Sequence, residues 1–293
     1  MPDVTAAPRP ATVRRMEHQV AIVTGGLRGL GKAMVLGLLR AGHPVVAVGH
    51  IAEDVAPMME AAGADAGRLT CLALDLLKPR SREALIVAAE RAGPVGILVN
   101  NAGLTFTYFD PKRFVDGAKK FWVLEDSTVQ AVMDTNYMVA DCLTRRLVPG
   151  MLARGWGRIV NVTTKLDTMD RAGSIPYGPS KAALELASSI WAKDLAGTPV
   201  TVNIVNPGAG AHTPGMAQEM RDWSDSGKAP RLLDAEAMVP PLLFVVSREA
   251  DAVQGWRFDA TTWDAALPPV QAARQSGRRA GFLLHPIEDF GAA

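Results

Sequence analysis

Val20-Ala-Ile-Val-Thr24 runs straight into Gly25-Gly-Leu-Arg-Gly-Leu-Gly31, and Lys32-Ala-Met-Val-Leu-Gly-Leu-Leu-Arg-Ala41 then reads as a helix closed by Gly42. A short, unbroken apolar run that stops at glycines is the pattern of a parallel strand covered on both faces. Glycines let the backbone turn tightly and come close to a ligand. The helix start behind them offers free N–H groups and a positive dipole end to a pyrophosphate. The order strand, glycine turn, helix therefore predicts a nucleotide site over Gly25, Leu27, Arg28, Gly29, Leu30 and Gly31. Its spacing, Gly-x-x-x-Gly-x-Gly, departs from the more familiar Gly-x-Gly-x-x-Gly fingerprint.

Working outward, Val45-Val-Ala-Val48 is a second strand that ends at Gly49-His50, where folds of this kind place an acid for the ribose of NAD. The nearest carboxylates, Glu53 and Asp54, fall in the next helical segment and are expected to face solvent. With no acid at the strand end and Arg28 in the glycine loop, a 2′-phosphate meets a cation without repulsion. NADP(H) is favoured, and NAD(H) stays open. Helices around 52–62 and 80–92 alternate with strands at Leu69–Leu74, followed by Asp75 and Leu76, and at Gly96–Val99. That alternation predicts an α/β fold, a doubly wound parallel sheet forming a Rossmann-type three-layer sandwich in a single domain. The strand at 96–99 opens into Asn100-Asn-Ala-Gly103, at the carboxyl edge where open sheets bind ligands.

Composition bounds the partners. The chain has 293 residues, 48% hydrophobic and 21% charged, with net charge +1. That is enough for a large core, and it argues neither for nucleic acid nor for an anionic membrane as partner. Cys71 and Cys142 sit far apart in apolar runs, as buried thiols of a reducing compartment do, so the cytoplasm is expected. Pro2, Asp3, Pro8 and Pro10 stand where a signal peptide would need an apolar core, so residues 1–16 read as a flexible tail. No spacing of metal-ligating residues calls for a metal.

Tyr177-Gly-Pro-Ser-Lys181 places a phenol and an ammonium four residues apart at a helix start, on one face, where the cation favours the phenolate. Alone, such a pair is equally the surface of an amphipathic helix.

Together the motifs decide its meaning. Thr24–Gly31, Asn100-Asn-Ala-Gly103 and the Tyr177/Lys181 pair resemble, in order, the cofactor loop, Asn-Asn-Ala-Gly and catalytic motif of the short-chain dehydrogenase/reductases. The resemblance spans roughly residues 17–260. It implies an NAD(P)-dependent oxidoreductase in which Tyr177 is the general acid/base and Lys181 binds the nicotinamide ribose. Asn136, inside a helix expected over Thr128–Ala153, matches the family's asparagine, whose backbone holds a proton-relay water. Thr164 stands 13 residues before Tyr177, in the place of the family's serine. Threonine keeps the hydroxyl but adds a methyl that stiffens χ1. Asn206-Pro207-Gly208 is similar to the family's cofactor-side turn, with Pro207, Gly208 and Thr213 assigned to the cofactor. A homodimer or homotetramer is implied by the resemblance alone.

Three stretches carry specificity. Residues 104–126 hold Phe106, Tyr108, Phe109, Phe114, Phe121 and Trp122, six of the 17 aromatics, while Lys112, Arg113, Lys119 and Lys120 read as their wet side. These rings either wall an apolar substrate pocket or pack the insertion or a subunit contact. Residues 214–232 read either as a lid or as a plain surface excursion. The extension 266–293 either reaches a neighbouring subunit or wraps its own surface. The expected function is hydride transfer between nicotinamide and a carbonyl or secondary alcohol of a small molecule. Reduction of C=N or activated C=C bonds, or a non-catalytic dinucleotide sensor, are the alternatives.

Overall fold

The computed structural model describes residues 19–282, so the tail read over 1–16 and the last part of the C-terminal extension lie outside the described residues. Eight strands form one sheet in the order β3-β2-β1-β4-β5-β6-β7-β8. They are β1 (Val20–Thr24), β2 (Val45–Gly49), β3 (Leu69–Ala73), β4 (Val95–Asn100), β5 (Gly157–Asn161), β6 (Val200–Asn206), β7 (Trp256–Asp259) and β8 (Gly277–Arg279). The first seven are parallel; β8 pairs antiparallel with β7. The extension thus adds a helix (Pro269–Ser276) and an edge strand to the sheet. Gly-Arg-Arg carries no apolar alternation, so nothing in its pattern announces a strand.

The main helices are α1 (Gly29–Arg40), α2 (Val55–Ala62), α3 (Pro79–Ala92), α4 (Asp126–Met133), α5 (Val139–Arg154), α6 (Tyr177–Asp194), α7 (Gln218–Asp225) and α8 (Val239–Val246), followed by α9 (Pro269–Ser276). Every residue of β1 is buried, as a strand covered on both faces requires. On one side Met34, Leu38 and Leu39 of α1 pack with Leu242 and Val245 of α8; on the other Leu85, Leu143 and Leu147 join Val200 and Val202. Each fully buried side chain of this size contributes about 1.5–3 kcal/mol.

The expected long helix runs unbroken from Asp126 to Arg154, with an irregularity inside it. Between α4 and α5, Asp134–Met138 forms a π-helical turn, and Asn136 lies buried within it. Sheet order reverses between β1 and β4, and the crevice above their carboxyl ends is where the glycine loop and Asn100–Gly103 meet.

Candidate active site

A cavity of about 570 Å³ runs along this crevice, from Gly49, His50 and Asp75 at one end to Tyr177 and Lys181 at the other. Its floor is the glycine loop. Gly25 takes φ +63°, and a Cβ there would come within 2.9 Å of the Ala102 Cα; one on Gly31 would stand 1.9 Å from the Gly25 carbonyl oxygen. Only glycine fits either place. Thr24 locks the two loops together. Its hydroxyl accepts the Asn101 and Ala102 N–H groups, each at 3.0 Å, and Asn101 Nδ2 donates to the Thr24 carbonyl at 2.9 Å. As the last residue of a strand running into the glycine loop, Thr24 was visible in the sequence but assigned no role there.

The donor set suits a dinucleotide. α1 starts at Gly29 with no acidic residue in its first turn and no side-chain cap, leaving its N–H groups and dipole free for a pyrophosphate. Leu27, Leu30, Gly103, Leu76, Pro207 and Thr213 also line the cavity, with Thr213 lying over Gly29. Asn100 and Gly208 are outside it. Asn100 donates to Asn161 Oδ1 at 2.8 Å and Thr144 Oγ1 at 3.2 Å, bracing β4 against β5 and α5, and Gly208 faces Thr261. Asp54 differs from the sequence expectation: it borders the cavity and pairs with Arg28, Nε to Oδ2, at 3.6 Å. The turn Ala52–Asp54 precedes α2 and swings the carboxylate inward, a helix phase that the apolar pattern leaves undefined.

At the far end, the Thr164 hydroxyl neighbours the Tyr177 phenol, although Thr164 itself does not line the cavity. Burial pushes that phenol above its ordinary range, and the Thr164 hydroxyl pulls partly against it. Lys181 reaches back one helical turn below, its Nζ donating to the Val162 carbonyl at 2.9 Å. Burial brings its ammonium down to about 8. The expected pull of the lysine on the phenol is therefore not what governs Tyr177 in the free chain; desolvation is stronger. Asn136 does not line the cavity. Its Oδ1 accepts the Leu104 N–H at 2.7 Å, and its Nδ2 donates to the Leu104 carbonyl at 3.1 Å and Ser180 Oγ at 2.9 Å. Ser180 in turn donates to the Tyr177 carbonyl at 2.7 Å.

The 104–126 stretch folds against this end. Phe106 packs on Tyr177 with ring centroids 4.8 Å apart, and Phe109 is buried beside it. Arg113 is not on a wet face: it is buried, its guanidinium 3.8 Å from the Phe106 ring centre and donating to the Gly173 carbonyl at 3.0 Å. Lys119 stays exposed, as expected, with its Nζ donating to the Phe109 carbonyl at 2.8 Å. Phe121 and Trp122 stand exposed, edge to face. Thr105 Oγ1 donates to the Gly215 carbonyl at 2.7 Å, tying this stretch to the 214–232 segment, which carries α7.

The short chain dehydrogenase family model matches residues 19–225. The chain belongs to that family. It is 30% identical over 244 residues to the 3-oxoacyl-(acyl-carrier-protein) reductase FabG of Vibrio cholerae, covering 82% of this chain and 94% of the relative. Over 204 residues it is 30% identical to the ketoacyl reductase HetN of Nostoc sp., covering 69% of this chain and 67% of the relative. A solved variant of the actinorhodin polyketide ketoreductase with NADPH superposes with TM-score 0.70 at 26% identity, covering 82% of this chain and 94% of that one. This short-chain dehydrogenase is thus an NAD(P)-binding oxidoreductase of the Rossmann type. Among its described residues no helix is long and apolar enough to cross a membrane, and no cluster of three or more His, Cys, Asp or Glu could hold a metal.

Proposed function

We propose that this enzyme is an NADP(H)-dependent reductase of an uncharged ketone, or dehydrogenase of the matching secondary alcohol. The observation that carries the reading is that Tyr177 and Lys181 together line the end of the cavity opposite the glycine loop, with the Thr164 hydroxyl beside the phenol. A bound nicotinamide supplies, or accepts, the hydride at the substrate carbon. Tyr177 gives its proton to the substrate oxygen, and the Thr164 hydroxyl orients that oxygen. Burial above the ordinary tyrosine range keeps the phenol protonated at neutral pH, the form an acid needs for reduction. Lys181 would hold the nicotinamide ribose, and Asn136, which grips Leu104 and Ser180, would hold the backbone of the proton relay.

Charge separates the two ends. Arg28, Asp54 and Asp75 border the Gly49 end, whereas Leu104, Thr105, Tyr108, Pro214 and Gly215 line the cavity with Tyr177, and the charged lining residue next to it on α6 is Lys181. That supports an apolar, uncharged substrate. It also fits the ketoacyl reductions named for the relatives. NADP(H) is favoured because β2 ends without a carboxylate and Arg28 offers a cation. Cys71 and Cys142 are free and half-buried instead of fully enclosed, a state that still suits a reducing cytoplasm. Exposed Leu186 and Ile190 on α6 suit the homodimer or homotetramer that the resemblance implies.

The test is NADPH and NADH oxidation across ketones, keto sugars, quinones and cyclic imines, with products identified by mass spectrometry. Tyr177→Phe should lose about 100- to 10,000-fold in turnover. A Tyr177→Phe protein with nearly full turnover sinks the mechanism, and imine products alone would move the enzyme to C=N chemistry.

A further inference from the structure

Behind Thr164 a single buried cation ties together the pieces that carry the site. Arg257, in the middle of β7, and Glu185, on α6, have fully buried side chains. Arg257 Nη1 donates to Glu185 Oε2 at 2.6 Å and to Thr163 Oγ1 at 2.9 Å, and its Nη2 donates to the Thr164 carbonyl. The Thr163 hydroxyl donates to Glu185 Oε2 at 2.9 Å, closing a ring of three. Arg257 Nε donates to Asp259 Oδ1 at 2.9 Å, and Asn206 Nδ2 donates to the same oxygen. Asn206 Oδ1 accepts the Gly208 N–H at 2.8 Å. Glu185 lies two turns along α6 from Tyr177 and one from Lys181, on the same face.

Stability alone does not account for this arrangement. A buried ion pair is often no better than apolar residues of equal volume. Here the guanidinium spends its donors on the 163–164 backbone and on the carboxylate beside the 206–208 turn. Thr164 makes that placement matter, since a β-branched side chain is stiff at χ1 and its hydroxyl points where the backbone sends it. We propose that Arg257 and Glu185 are positioning residues: they hold the 163–164 backbone and so set where the Thr164 hydroxyl stands beside the Tyr177 phenol. The proposal rests on the site reading given above.

The test needs no substrate. The three tyrosines are Tyr108, Tyr137 and Tyr177, so in protein carrying 3-fluorotyrosine the Tyr177 fluorine resonance is identified by its loss in Tyr177→Phe. Thr164→Val should move its titration to higher pH by removing the hydroxyl that pulls the phenol down. Arg257→Met with Glu185→Leu, a charge-free pair, should move it the same way and add nothing further in the Thr164→Val background. If that pair does not fold by circular dichroism, Arg257→Lys serves. Its ammonium can meet Glu185 but lacks the second arm for the Thr164 carbonyl, so a smaller shift with the same non-additivity is expected. A parent-like titration, or a shift that adds to that of Thr164→Val, overturns the proposal. In turnover the same variants should lose up to about 100-fold in kcat. Failure of the cycle leaves the site reading intact, whereas a fully active Tyr177→Phe protein removes the site reading whatever the cycle shows.

Discussion

Arg28 and Asp54 face each other at the Gly49 end of the cavity, Nε to Oδ2 at 3.6 Å, both partly exposed. A pair so open to water contributes no more than about 1 kcal/mol. A doubly charged phosphate can therefore take the guanidinium from Asp54, but it must do so beside a carboxylate that repels it. Asp54→Asn should raise kcat/KM for NADPH over NADH by up to about tenfold, and Arg28→Ala should lower it by a similar factor. Steady-state kinetics with both cofactors decide this; a parent enzyme that prefers NADH refutes the reading of Arg28.

Thr164 separates shape from chemistry. Thr164→Val keeps the branched form and loses the hydroxyl, so kcat should fall about 100- to 1,000-fold, the usual effect of removing one donor from a reacting oxygen. Thr164→Ser keeps the donor and should retain most activity. Equal loss in both would show that the methyl, not the hydroxyl, is what the site uses.

Lys181 should be visible in stability as well as in catalysis. Unfolded, it keeps its proton to about 10.5; folded, burial makes it release that proton at about 8. Between those values the unfolded chain binds more protons, so the folded state gains stability as pH rises. The parent should therefore gain on Lys181→Met between pH 8 and 10 in urea melts, by on the order of 3 kcal/mol at most. Tyr177, raised by burial, acts oppositely above the ordinary tyrosine value of 10, where the folded phenol keeps a proton that the unfolded one has lost. A gap between parent and Lys181→Met that does not change over this range would show that the ammonium is not desolvated.

Thr105→Val removes the 2.7 Å bond to Gly215 and leaves only the 3.4 Å contact from Thr107 to hold the 214–232 segment to the aromatic stretch. KM for the carbonyl substrate should rise several-fold while the melting temperature barely moves, because one exchanged hydrogen bond contributes about 1 kcal/mol. Unchanged KM would mean that the segment is not a lid for this substrate.

The strands, the glycine turn and the Tyr177–Lys181 helix were legible because unbroken apolar runs and glycines have few other uses. Charged residues were not. Asp54 and Arg113 read as solvated, since a charge on a short irregular segment has no period to place it. Glu185 and Arg257 left a signal that went unread. One sits on the helix face already marked by Tyr177 and Lys181, the other between Trp256 and Phe258, and opposite charges at two inward positions call for each other. β8 was invisible because its pairing is supplied by the neighbouring edge and not by its own pattern.

The π-helical turn at Asp134–Met138 makes chain length itself part of the site. Such a turn holds one residue more than the regular helix around it. Removing any one residue there would close the turn into regular α-helix and displace the residues of the turn itself, while α4 and α5 keep their phase. Asn136 then could not grip Leu104 and Ser180 at once. This enzyme should accept many exchanges of side chain between Val132 and Val139, yet no shortening.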